Sequence, residues 1–560
     1  MDYLALANLL FPDIDKTPEY YESIYPERDL PEGARVTRFA PSPTGFLHLG
    51  GLFAATVAAK TAHTSGGVFY LRIEDTDKKR EVEGGISGII DGLAYFGIVP
   101  DEGRVSASED KGAYGPYRQS ERREIYQTFA KELVKQGLAY PCFCTAEDID
   151  AIRTAQENEP IKGYYGKWAR CRELSMEQIE ENLAQGKPWT LRLRSQGEPE
   201  RKIKIDDFIR GKIEMPANVL DIVLLKQDGI PTYHFAHCVD DHLMRSTHIV
   251  RGDEWIASVP IHIELFKACG FKVPKYAHIA PIMKEETDEQ GAVTGKRKLS
   301  KRKDPEASVG FYAKEGYPAE SVNEYLLTLA NSNFEDWRRG NADAPLEAFP
   351  FNLKKMSASG ALFDLAKLKD VSKNVICRFS AEKVYEDVCT WAKEHDDELY
   401  ALLAADRAFG VQMLNIDRTG KKPRKDIARW SEVKEYYAYF FKELYHNDFV
   451  FPENLCTEDV IAILRAYAAV YSAADDKDTW FQKIKELCAP LGFTPNVKEY
   501  KQTPEAFKGH VGDVSGVIRI AVTGRRNTPD LCSILALLGE EEVHKRIGEC
   551  IQYLEEQKTV

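Results

Sequence analysis

Hydrophobic and polar positions follow two different periods in the two parts of the chain. Before about residue 310, strand-like apolar runs alternate with segments of helical spacing, whereas the later part is mostly helix-periodic. The strand-like runs lie at 36–40, 68–73, 221–225, 247–251 and 276–283. The helix-periodic segments include 52–64, 121–136, 319–329, 461–473 and 531–554. This alternation predicts a parallel sheet with crossover helices, so the predicted fold class is α/β followed by an all-α part.

The alternation is interrupted between about residues 141 and 218. This segment contains paired cysteines, many charges and only short apolar pieces. The simplest organisation is one α/β domain with an insertion at 141–218, preceded by a small helical extension at 1–33. From about residue 375 the pattern is that of a separate helical domain. Several domains are expected for 560 residues, since single cores seldom exceed about 250–300 residues.

The composition is that of an ordinary globular protein, with 43% apolar and 29% charged residues. No apolar run reaches the roughly 20 residues needed to cross a bilayer, and the first residues lack the basic region of a signal peptide. We therefore expect a cytoplasmic protein with no membrane span. The eleven cysteines are mostly isolated, which favours reduced thiols. A net charge of −13 argues against a general polyanion binder but permits a local basic face.

One segment joins turn-forming residues to a histidine and two glycines: Pro41-Ser-Pro-Thr-Gly-Phe-Leu-His-Leu-Gly-Gly51. Its prolines and Gly45 fit a tight turn. Gly50 and Gly51 would let a nucleotide approach the N-terminus of the following helix, whose N–H groups attract anions. His48 could donate hydrogen bonds to phosphate oxygens. The alternative interpretation is a proline-bounded turn with a structural histidine.

A second candidate segment is strongly basic: Gly295-Lys-Arg-Lys-Leu-Ser-Lys-Arg-Lys303. Such runs are usually solvated. This one follows a predicted strand, however, and ligands of open α/β sheets bind beyond the carboxyl ends of the strands. Lysines there could neutralise charge on a pyrophosphate leaving group. Together with His48, the segment predicts chemistry at the α-phosphate of ATP.

Charged side chains also lie at the ends of three predicted strands. Glu74 begins a cluster of three carboxylates after the second strand, Arg38 lies near the end of the first, and Arg251 ends the strand at 247–251. A helix N-terminal cluster is the plainer interpretation of the carboxylates. Arginines at strand ends suit bidentate capture of a carboxylate. One amino acid with an ammonium group and two carboxylates would satisfy all three residues.

The run from Arg38 to Gly51 resembles the first signature of class I aminoacyl-tRNA synthetases, in the version typical of glutamyl-tRNA synthetases. The segment Lys298-Leu-Ser-Lys-Arg302 is similar to the second signature of that family, usually written KMSKS. Further resemblances, in the family's order, are Leu71-Arg-Ile-Glu-Asp-Thr-Asp77, Pro231-Thr-Tyr-His-Phe-Ala236, Val239-Asp-Asp-His-Leu-Met244, Arg251-Gly-Asp-Glu-Trp255 and Arg519-Ile-Ala-Val-Thr-Gly-Arg525. This combination is far more specific than either signature alone.

The resemblance implies ATP-dependent activation of L-glutamate and its transfer to tRNA(Glu), with tRNA(Gln) left open as a second partner. By position, it implies a glutamate pocket formed by Arg38, Ala40, Ser42, Glu74, Tyr233 and Arg251. It implies ATP contacts from Pro41, Thr44, Gly45, His48, Gly50, Gly51, Glu254, Trp255 and Lys301. The catalytic residues would be His48, Lys298 and Lys301, with Mg²⁺ held mostly through ATP and water. His237 departs from the pattern, because some relatives carry an Asn there that touches the amino acid.

The resemblance also assigns roles to the predicted segments, acting together in a monomer. It implies a Rossmann-type nucleotide-binding domain in two halves, an inserted acceptor-binding subdomain, a stem-contact helical region and an all-α C-terminal anticodon-binding domain. The two halves of the nucleotide-binding domain lie at 34–140 and 219–310, and the acceptor-binding subdomain lies between them at 141–218. The stem-contact region lies at 311–375 and the anticodon-binding domain at 376–560.

Three cysteines in the insertion form a candidate metal site. Cys142, Cys144 and Cys171 would suit Zn²⁺, although their spacing is not that of paired C-x-x-C motifs. The insertion has no histidine, and the resemblance implies Tyr164 as a fourth ligand, because some relatives use a tyrosine shortly before the last cysteine. The alternative is a trio of reduced thiols in a small subdomain.

A basic loop in the helical part, Arg418-Thr-Gly-Lys-Lys-Pro-Arg-Lys425, is a candidate tRNA contact. Such loops are usually only solvated, but unpaired bases and phosphates are the expected partners of an anticodon-binding end. The candidate tRNA-binding residues are Lys421, Lys422, Arg424 and Lys425.

Three alternative functions fit parts of the pattern. A truncated relative that glutamylates a tRNA base would lack the helical C-terminal domain, and a glutamine-specific relative would carry a β-barrel there. A non-enzymatic tRNA-binding module would not need both ATP-contacting segments. The sequence therefore favours a glutamate-activating tRNA ligase.

Overall fold

A computed structural model of the protein describes residues 1–300, 302–420 and 422–559. The chain forms two compact units. The first consists of residues 1–311 and 322–364, and the second of residues 312–321 and 365–560. This structural division does not test the functional domain boundaries expected from the sequence at 310 and 375, which remain predictions.

Throughout the part of the chain that the structure describes, the strands belong to the first unit. In chain order they are β1 (Val36–Phe39), β2 (Val68–Leu71), β3 (Glu102–Arg104), β4 (Asp110–Lys111), β5 (Ala139–Cys142), β6 (Thr190–Leu193), β7 (Lys202–Asp207), β8 (Gly211–Pro216), β9 (Val223–Leu225), β10 (His248–Gly252), β11 (Lys275–Ile279), β12 (Met283–Thr287) and β13 (Val293–Lys298).

Helices alternate with these strands along the chain, and α10 and α11 each cross a boundary between the two units. In chain order they are α1 (Tyr3–Leu10), α2 (Pro18–Ile24), α3 (Leu49–His63), α4 (Gly85–Tyr95), α5 (Arg123–Lys135), α6 (Ala146–Ala155), α7 (Met176–Ala184), α8 (Tyr233–Leu243), α9 (Val259–Ala268), α10 (Val309–Glu315), α11 (Ala319–Ala330) and α12 (Phe334–Gly340).

A parallel sheet lies at the centre of the first unit. β1 pairs in parallel with β2, β2 pairs in parallel with β3, and β10 pairs in parallel with β11. The Thr247 N–H, just before β10, donates to the Val36 carbonyl at the start of β1 (3.0 Å), so β10 lies beside β1. The helix α3 crosses from β1 to β2 and is rich in alanine. The predicted α/β alternation is confirmed.

The insertion forms its own antiparallel structure. β5 pairs with β6, β6 pairs with β9, and β7 and β8 form a hairpin. The strand predicted at 221–225 exists as β9, but it belongs to this antiparallel sheet and not to the parallel one. The end of β7 reaches β11, where the Phe208 N–H donates to the Tyr276 carbonyl (2.9 Å). The insertion therefore touches the central sheet.

The N-terminal extension packs on the first unit through apolar side chains. Leu6, Leu10 and Tyr21 are buried in the same core cluster as Phe129 and Leu133 of α5. Because this burial removes apolar surface from water, the extension is part of the folded unit and not a free tail.

The second unit is helical. Its helices are α13 (Leu365–Ile376), α14 (Ala381–His395), α15 (Asp397–Ala405), α16 (Arg407–Asn415), α17 (Val433–Tyr436), α18 (Thr457–Ala468), α19 (Lys477–Leu491), α20 (Val497–Gln502), α21 (Val511–Thr523), α22 (Leu531–Leu538) and α23 (Glu540–Thr559). The helix predicted at 531–554 is divided, because Gly539 adopts φ +83° and ends α22. The predicted helical C-terminal part is confirmed.

One predicted strand was too long. The segment 276–283 is broken after Ile279, and Met283 begins a separate hairpin of β12 with β13. Pro281 interrupts the ladder, because proline has no N–H to donate. Among the helices of the described residues, none is long and apolar enough to span a bilayer.

Candidate active site

A cavity of about 710 Å³ opens at the carboxyl ends of β1, β2, β10 and β11. Of the predicted site residues, those that line it are Arg38, Ala40, Ser42, His48, Gly50, Gly51, Glu74, Tyr233, Arg251, Glu254, Trp255 and Lys298. All six predicted glutamate-binding residues are thus in one cavity with most of the predicted ATP-binding residues. Pro41, Thr44 and Gly45 do not line it, and Lys301 lies outside the described residues.

His48 is the N-cap of α3, and its ring is held against the first turn of the helix. The Gly51 N–H donates to His48 Nδ1 at 3.0 Å. A Cβ at Gly50 would lie 3.1 Å from Nδ1 and 3.2 Å from Cε1, so glycine leaves the room that the ring occupies. Because Nδ1 accepts a hydrogen bond, the neutral ring carries its proton on Nε2, where it can be donated to a phosphate oxygen.

Beneath the cavity lies a buried cluster of ion pairs. Arg38 Nε donates to Asp241 Oδ1 (3.1 Å), and Arg72 donates to both Asp241 (2.8 Å) and Glu74 (2.9 Å). Arg122 Nε donates to Asp240 Oδ1 at 2.7 Å. These six residues, three arginines and three carboxylates, are all nearly inaccessible to solvent. Pairing of this kind is required, because an isolated buried charge costs several kcal/mol.

Glu74 presents its carboxyl group to the cavity from the end of β2. Burial raises the pKa of Glu74 above its ordinary value, and the guanidinium groups of Arg72 and Arg38 oppose this shift. The Ser42 hydroxyl donates to the Glu74 backbone carbonyl at 2.9 Å, which links the first signature to this strand end. A substrate ammonium group would stabilise the ionised carboxylate.

Tyr233 and Trp255 form one wall of the cavity, with ring centroids 4.2 Å apart. His237 also stacks on Tyr233, with ring centroids 5.8 Å apart, and is fully buried. Its Nδ1 lies 2.6 Å from Asp241 Oδ2. Burial lowers the pKa of His237 to about 3. His237 therefore supports the wall and the ion cluster without lining the cavity.

Arg251 reaches the cavity from β10. Its guanidinium contacts the rings of His278 and His262, at 3.1 and 3.2 Å, and the Tyr233 hydroxyl at 3.4 Å. It also lies 4.8 Å above the ring of Tyr276. The surroundings of Arg251 are therefore mostly aromatic and uncharged.

The second signature begins at the end of the β12–β13 hairpin. Asp304, almost fully buried, accepts both terminal nitrogens of Arg297 (2.5 and 2.8 Å), Lys284 Nζ (3.1 Å) and the Ser300 N–H (2.9 Å). The hydrogen bonds from Arg297 hold the pKa of Asp304 well below its usual range. The predicted basic segment is thus a strand up to Lys298, and Asp304 holds the backbone at Ser300 just beyond the end of that strand.

The three predicted metal ligands of the insertion come together. The sulfur atoms of Cys142, Cys144 and Cys171 all lie within 4.8 Å of one another, and Cys144 Sγ is 3.7 Å from Cys171 Sγ. The Tyr164 hydroxyl lies 3.4 Å from Cys142 Sγ and 3.3 Å from Cys144 Sγ. All four predicted ligands therefore meet at one point.

The basic loop of the second unit is partly occupied within the fold. Arg424 forms a bidentate pair with Asp426, both bonds at 2.8 Å, and these hydrogen bonds raise the pKa of Arg424. Lys422 and Lys425 are exposed. Lys421 lies outside the described residues. Two of the four candidate tRNA contacts therefore present exposed ammonium groups on this loop.

Sequence reasoning assigned no role to several residues that build the site. Asp240, Asp241, His262, His278 and Asp207 lie directly behind the cavity wall and are all buried. For Asp240 and Asp241 the available signal was the run Val239-Asp-Asp-His-Leu-Met244, which resembles the family but was assigned no role. Nothing near Asp207 in the sequence indicates its contact with residue 278, which lies 71 positions away.

The fold and the cavity define a class I aminoacyl-tRNA synthetase. Residues 35–369 match the family described as "tRNA synthetases class I (E and Q), catalytic domain", and residues 415–551 match "Anticodon binding domain". Curated glutamate–tRNA ligases from Clostridium perfringens and Acetivibrio thermocellus are each 50% identical over 98% of this chain and over 100% and 99% of their own lengths.

A solved structure supports the same assignment. The crystal structure of a glutamate tRNA ligase from Elizabethkingia meningosepticum, in complex with its amino acid, matches with a TM-score of 0.72 and 28% identity. The match covers 93% of this chain and 99% of that one. This chain belongs to the glutamate–tRNA ligase family of class I synthetases. The family predicted from the two signatures is confirmed.

Proposed function

We propose that the cavity activates L-glutamate with ATP and that the chain then transfers glutamate to tRNA(Glu). One observation carries this proposal: Arg38, Glu74 and Arg251 share a cavity with His48 and Lys298. The first three match the charges of glutamate, and the last two suit the phosphates of ATP. The family relationship favours this ligase over a tRNA-binding module without activity.

The proposed reaction has two steps and needs no protein nucleophile. The α-carboxylate oxygen of glutamate attacks the α-phosphorus of ATP, forming a P–O bond and releasing pyrophosphate. The terminal ribose hydroxyl of the tRNA then attacks the activated carbonyl, releasing AMP. The protein contributes by orienting the reactants and by stabilising charge on the phosphates.

In this scheme, His48 donates from Nε2 to phosphate oxygens as they gain charge, while the Gly51 N–H holds the other side of the ring. Lys298, at the end of β13, neutralises the leaving pyrophosphate. The same role for Lys301 rests on the resemblance of the second signature. Mg²⁺ would enter with ATP, bound through phosphate oxygens and water. Pro41, Thr44 and Gly45 would shape the turn that places His48.

We also propose Zn²⁺ as a structural ion in the insertion. A Zn–S bond of about 2.3 Å places two thiolates of a tetrahedral site about 3.8 Å apart, and Cys144 and Cys171 lie 3.7 Å apart. Cys142 and the Tyr164 hydroxyl would complete the site. A closed set of four protein ligands serves structure and leaves no position for substrate.

The further partners are proposals of the same kind. Lys422 and Lys425, with Lys421 and Arg424, would meet tRNA at the anticodon end, because exposed ammonium groups contribute to phosphate affinity. Charging assays on purified tRNA(Glu) and tRNA(Gln) would decide whether both are substrates. We propose a cytoplasmic monomer.

ATP–pyrophosphate exchange in the presence of tRNA tests the function. We expect exchange with L-glutamate and not with L-glutamine, because an amide leaves the arginines without a second carboxylate. We expect His48→Ala to reduce exchange about 10²–10³-fold, the usual cost of removing one donor to a developing charge, with little change in tRNA affinity.

His63→Ala is the matched control, since His63 lies at the other end of α3 and pairs with Asp101 at the surface. It should retain full exchange. Equal losses of exchange and tRNA affinity in His48→Ala would contradict the role of His48. Absence of glutamate-dependent exchange in the unaltered protein would contradict the function itself.

A further inference from the structure

Two histidines contact Arg251, and each of them is backed by one further polar side chain. Its Nε lies 3.1 Å from His278 Nε2, and its Nη1 lies 3.2 Å from His262 Nδ1. Behind them, His278 Nδ1 lies 2.7 Å from Asp207 Oδ2, and His262 Nε2 lies 2.9 Å from His234 Nδ1. His234 lies on α8, His262 on α9, His278 on β11 and Asp207 at the end of β7.

These distances assign the protons of two rings. A guanidinium group has only donors, so the ring nitrogens that face Arg251 must accept. His278 therefore carries its proton on Nδ1 and donates it to Asp207. His262 carries its proton on Nε2 and donates it to His234. Both rings are neutral, in agreement with burial, which lowers the pKa of each.

The other buried arginines beside this cavity have direct counter-ions, and Arg251 does not. Arg38 and Arg72 both contact Asp241. In the described part of the chain, no carboxylate oxygen lies within 4.0 Å of the Arg251 nitrogens. The nearest acceptors are imidazole nitrogens and, at 3.4 Å, the Tyr233 hydroxyl and the Trp255 carbonyl. Hydrogen bonds to neutral acceptors therefore fix the orientation of the Arg251 guanidinium, while no directly bonded carboxylate among the described residues compensates its charge.

We infer that His262 and His278, backed by His234 and Asp207, are positioning residues that hold Arg251 as an unpaired cation for a carboxylate of the substrate. This inference rests on the proposed glutamate activation. Neutral acceptors suit the task because a carboxylate in their place would orient the guanidinium equally well but would compete with the substrate. Asp207 belongs to the insertion, so this segment helps to build the amino-acid pocket.

The test compares His262→Gln with His262→Glu, two substitutions whose new side chains are equal in size to each other and differ in charge. Glutamine keeps a neutral oxygen that can accept from Arg251, whereas glutamate adds a negative charge that the neighbouring guanidinium keeps ionised. We expect His262→Gln to change the KM for L-glutamate by only a few fold. We expect His262→Glu to raise it about 100-fold, as for a lost hydrogen bond between charged groups. The KM for ATP should change little in both.

If His262 had only a structural role, the two variants would be impaired to a similar degree. The KM values for L-glutamate and for ATP would then both rise. KM values for L-glutamate within about three-fold of each other in the two variants would overturn the inference. If the longer side chains prevent folding, the shorter pair His262→Asn and His262→Asp gives the same comparison. Failure of the unaltered enzyme to exchange pyrophosphate with glutamate would instead refute the proposed function, and this outcome is distinct because it needs no variant.

Discussion

At the scale of single residues, glycines leave room for side chains of the site at two positions. Gly50 leaves room for the His48 ring, and Gly252 leaves room for the Glu254 carboxylate, whose Oε2 lies 2.2 Å from where a Cβ would be. Neither glycine needs a positive φ in this structure. At Gly50 the constraint therefore comes from the His48 ring and not from the backbone, whereas the exposed Glu254 side chain could move away from an added Cβ at Gly252.

Gly50→Ala should separate activity from stability. The added Cβ would displace the His48 ring by a few tenths of an ångström and weaken its bond to the Gly51 N–H, while alanine is the stronger helix former by up to about 1 kcal/mol. We expect pyrophosphate exchange to fall about 10-fold, since a 1 Å misplacement can cost about 10²-fold. Tm should be unchanged or higher.

Gly516→Ala is the matched control, because Gly516 lies inside α21 with no atom within 4 Å of the added Cβ. It should bring the helix stabilisation without the loss of exchange. A fall in Tm without a fall in exchange for Gly50→Ala would contradict the packing described for His48.

At the scale of elements, periodicity predicted the type of each segment better than its ends. The strand at 276–283 and the helix at 531–554 were each predicted as one element, and each is divided, at Pro281 and at Gly539. Apolar residues continue across both breaks, so the hydrophobic pattern alone gives no stop. The basic run up to Lys298 pairs as β13 with β12 across a short turn, and charge composition does not reveal this pairing.

The proposed zinc site belongs to the insertion, and the metal content of the protein tests it. We expect the purified protein to contain about one Zn²⁺ per chain, and we expect Cys144→Ser to lower that content, because one thiolate of the closed site is lost. Elemental analysis by mass spectrometry measures the ratio. Cys269→Ser is the control, since Cys269 is a partly buried thiol outside the cluster. If protein from cells grown with zinc contains no zinc and its three cysteines react as free thiols, the alternative of three reduced cysteines would be favoured.

At the scale of the whole molecule, histidines make the first unit sensitive to acid. Burial lowers the pKa of His234 and His248 to about 4 and that of His237 to about 3, from 6.5. Below pH 6.5 the unfolded chain binds protons that the folded unit excludes. The unfolding free energy therefore falls as the pH decreases from about 6.5 to about 4, by up to about 1.4 kcal/mol per pH unit for each histidine.

Calorimetry from pH 7 to pH 4.5 should show this loss of stability in the unfolding transition of the first unit. That transition is identified as the one whose midpoint temperature rises when ATP and glutamate are added. His248→Gln removes one of the titrating groups at a distance from the cavity and should make the pH dependence shallower. A transition temperature that does not change over this range, or the same slope in His248→Gln, would contradict the exclusion of protons from these rings.

Much of the cavity could be predicted because its lining residues lie in short motifs at strand ends, where topology brings distant segments together. Twelve of the predicted residues line it. The layer behind them could not be predicted, because a contact such as Asp207 with His278 depends on where the insertion's hairpin meets β11. Sequence patterns specify which face of an element is buried but not which element is packed against it.

The buried cluster of three arginines and three carboxylates limits how this protein can change during evolution. Replacing one member leaves an uncompensated charge, which costs about 3–5 kcal/mol, a large share of the stability of a typical domain. Two compensating substitutions would have to occur together, or the first would have to arise in an already stabilised background. Under the proposed function, Arg38 and Glu74 are thus constrained twice, by the glutamate they would bind and by the partners beneath them. Under the proposed function, a change of amino-acid specificity is therefore more accessible through the neutral surroundings of Arg251 than through the ion pairs.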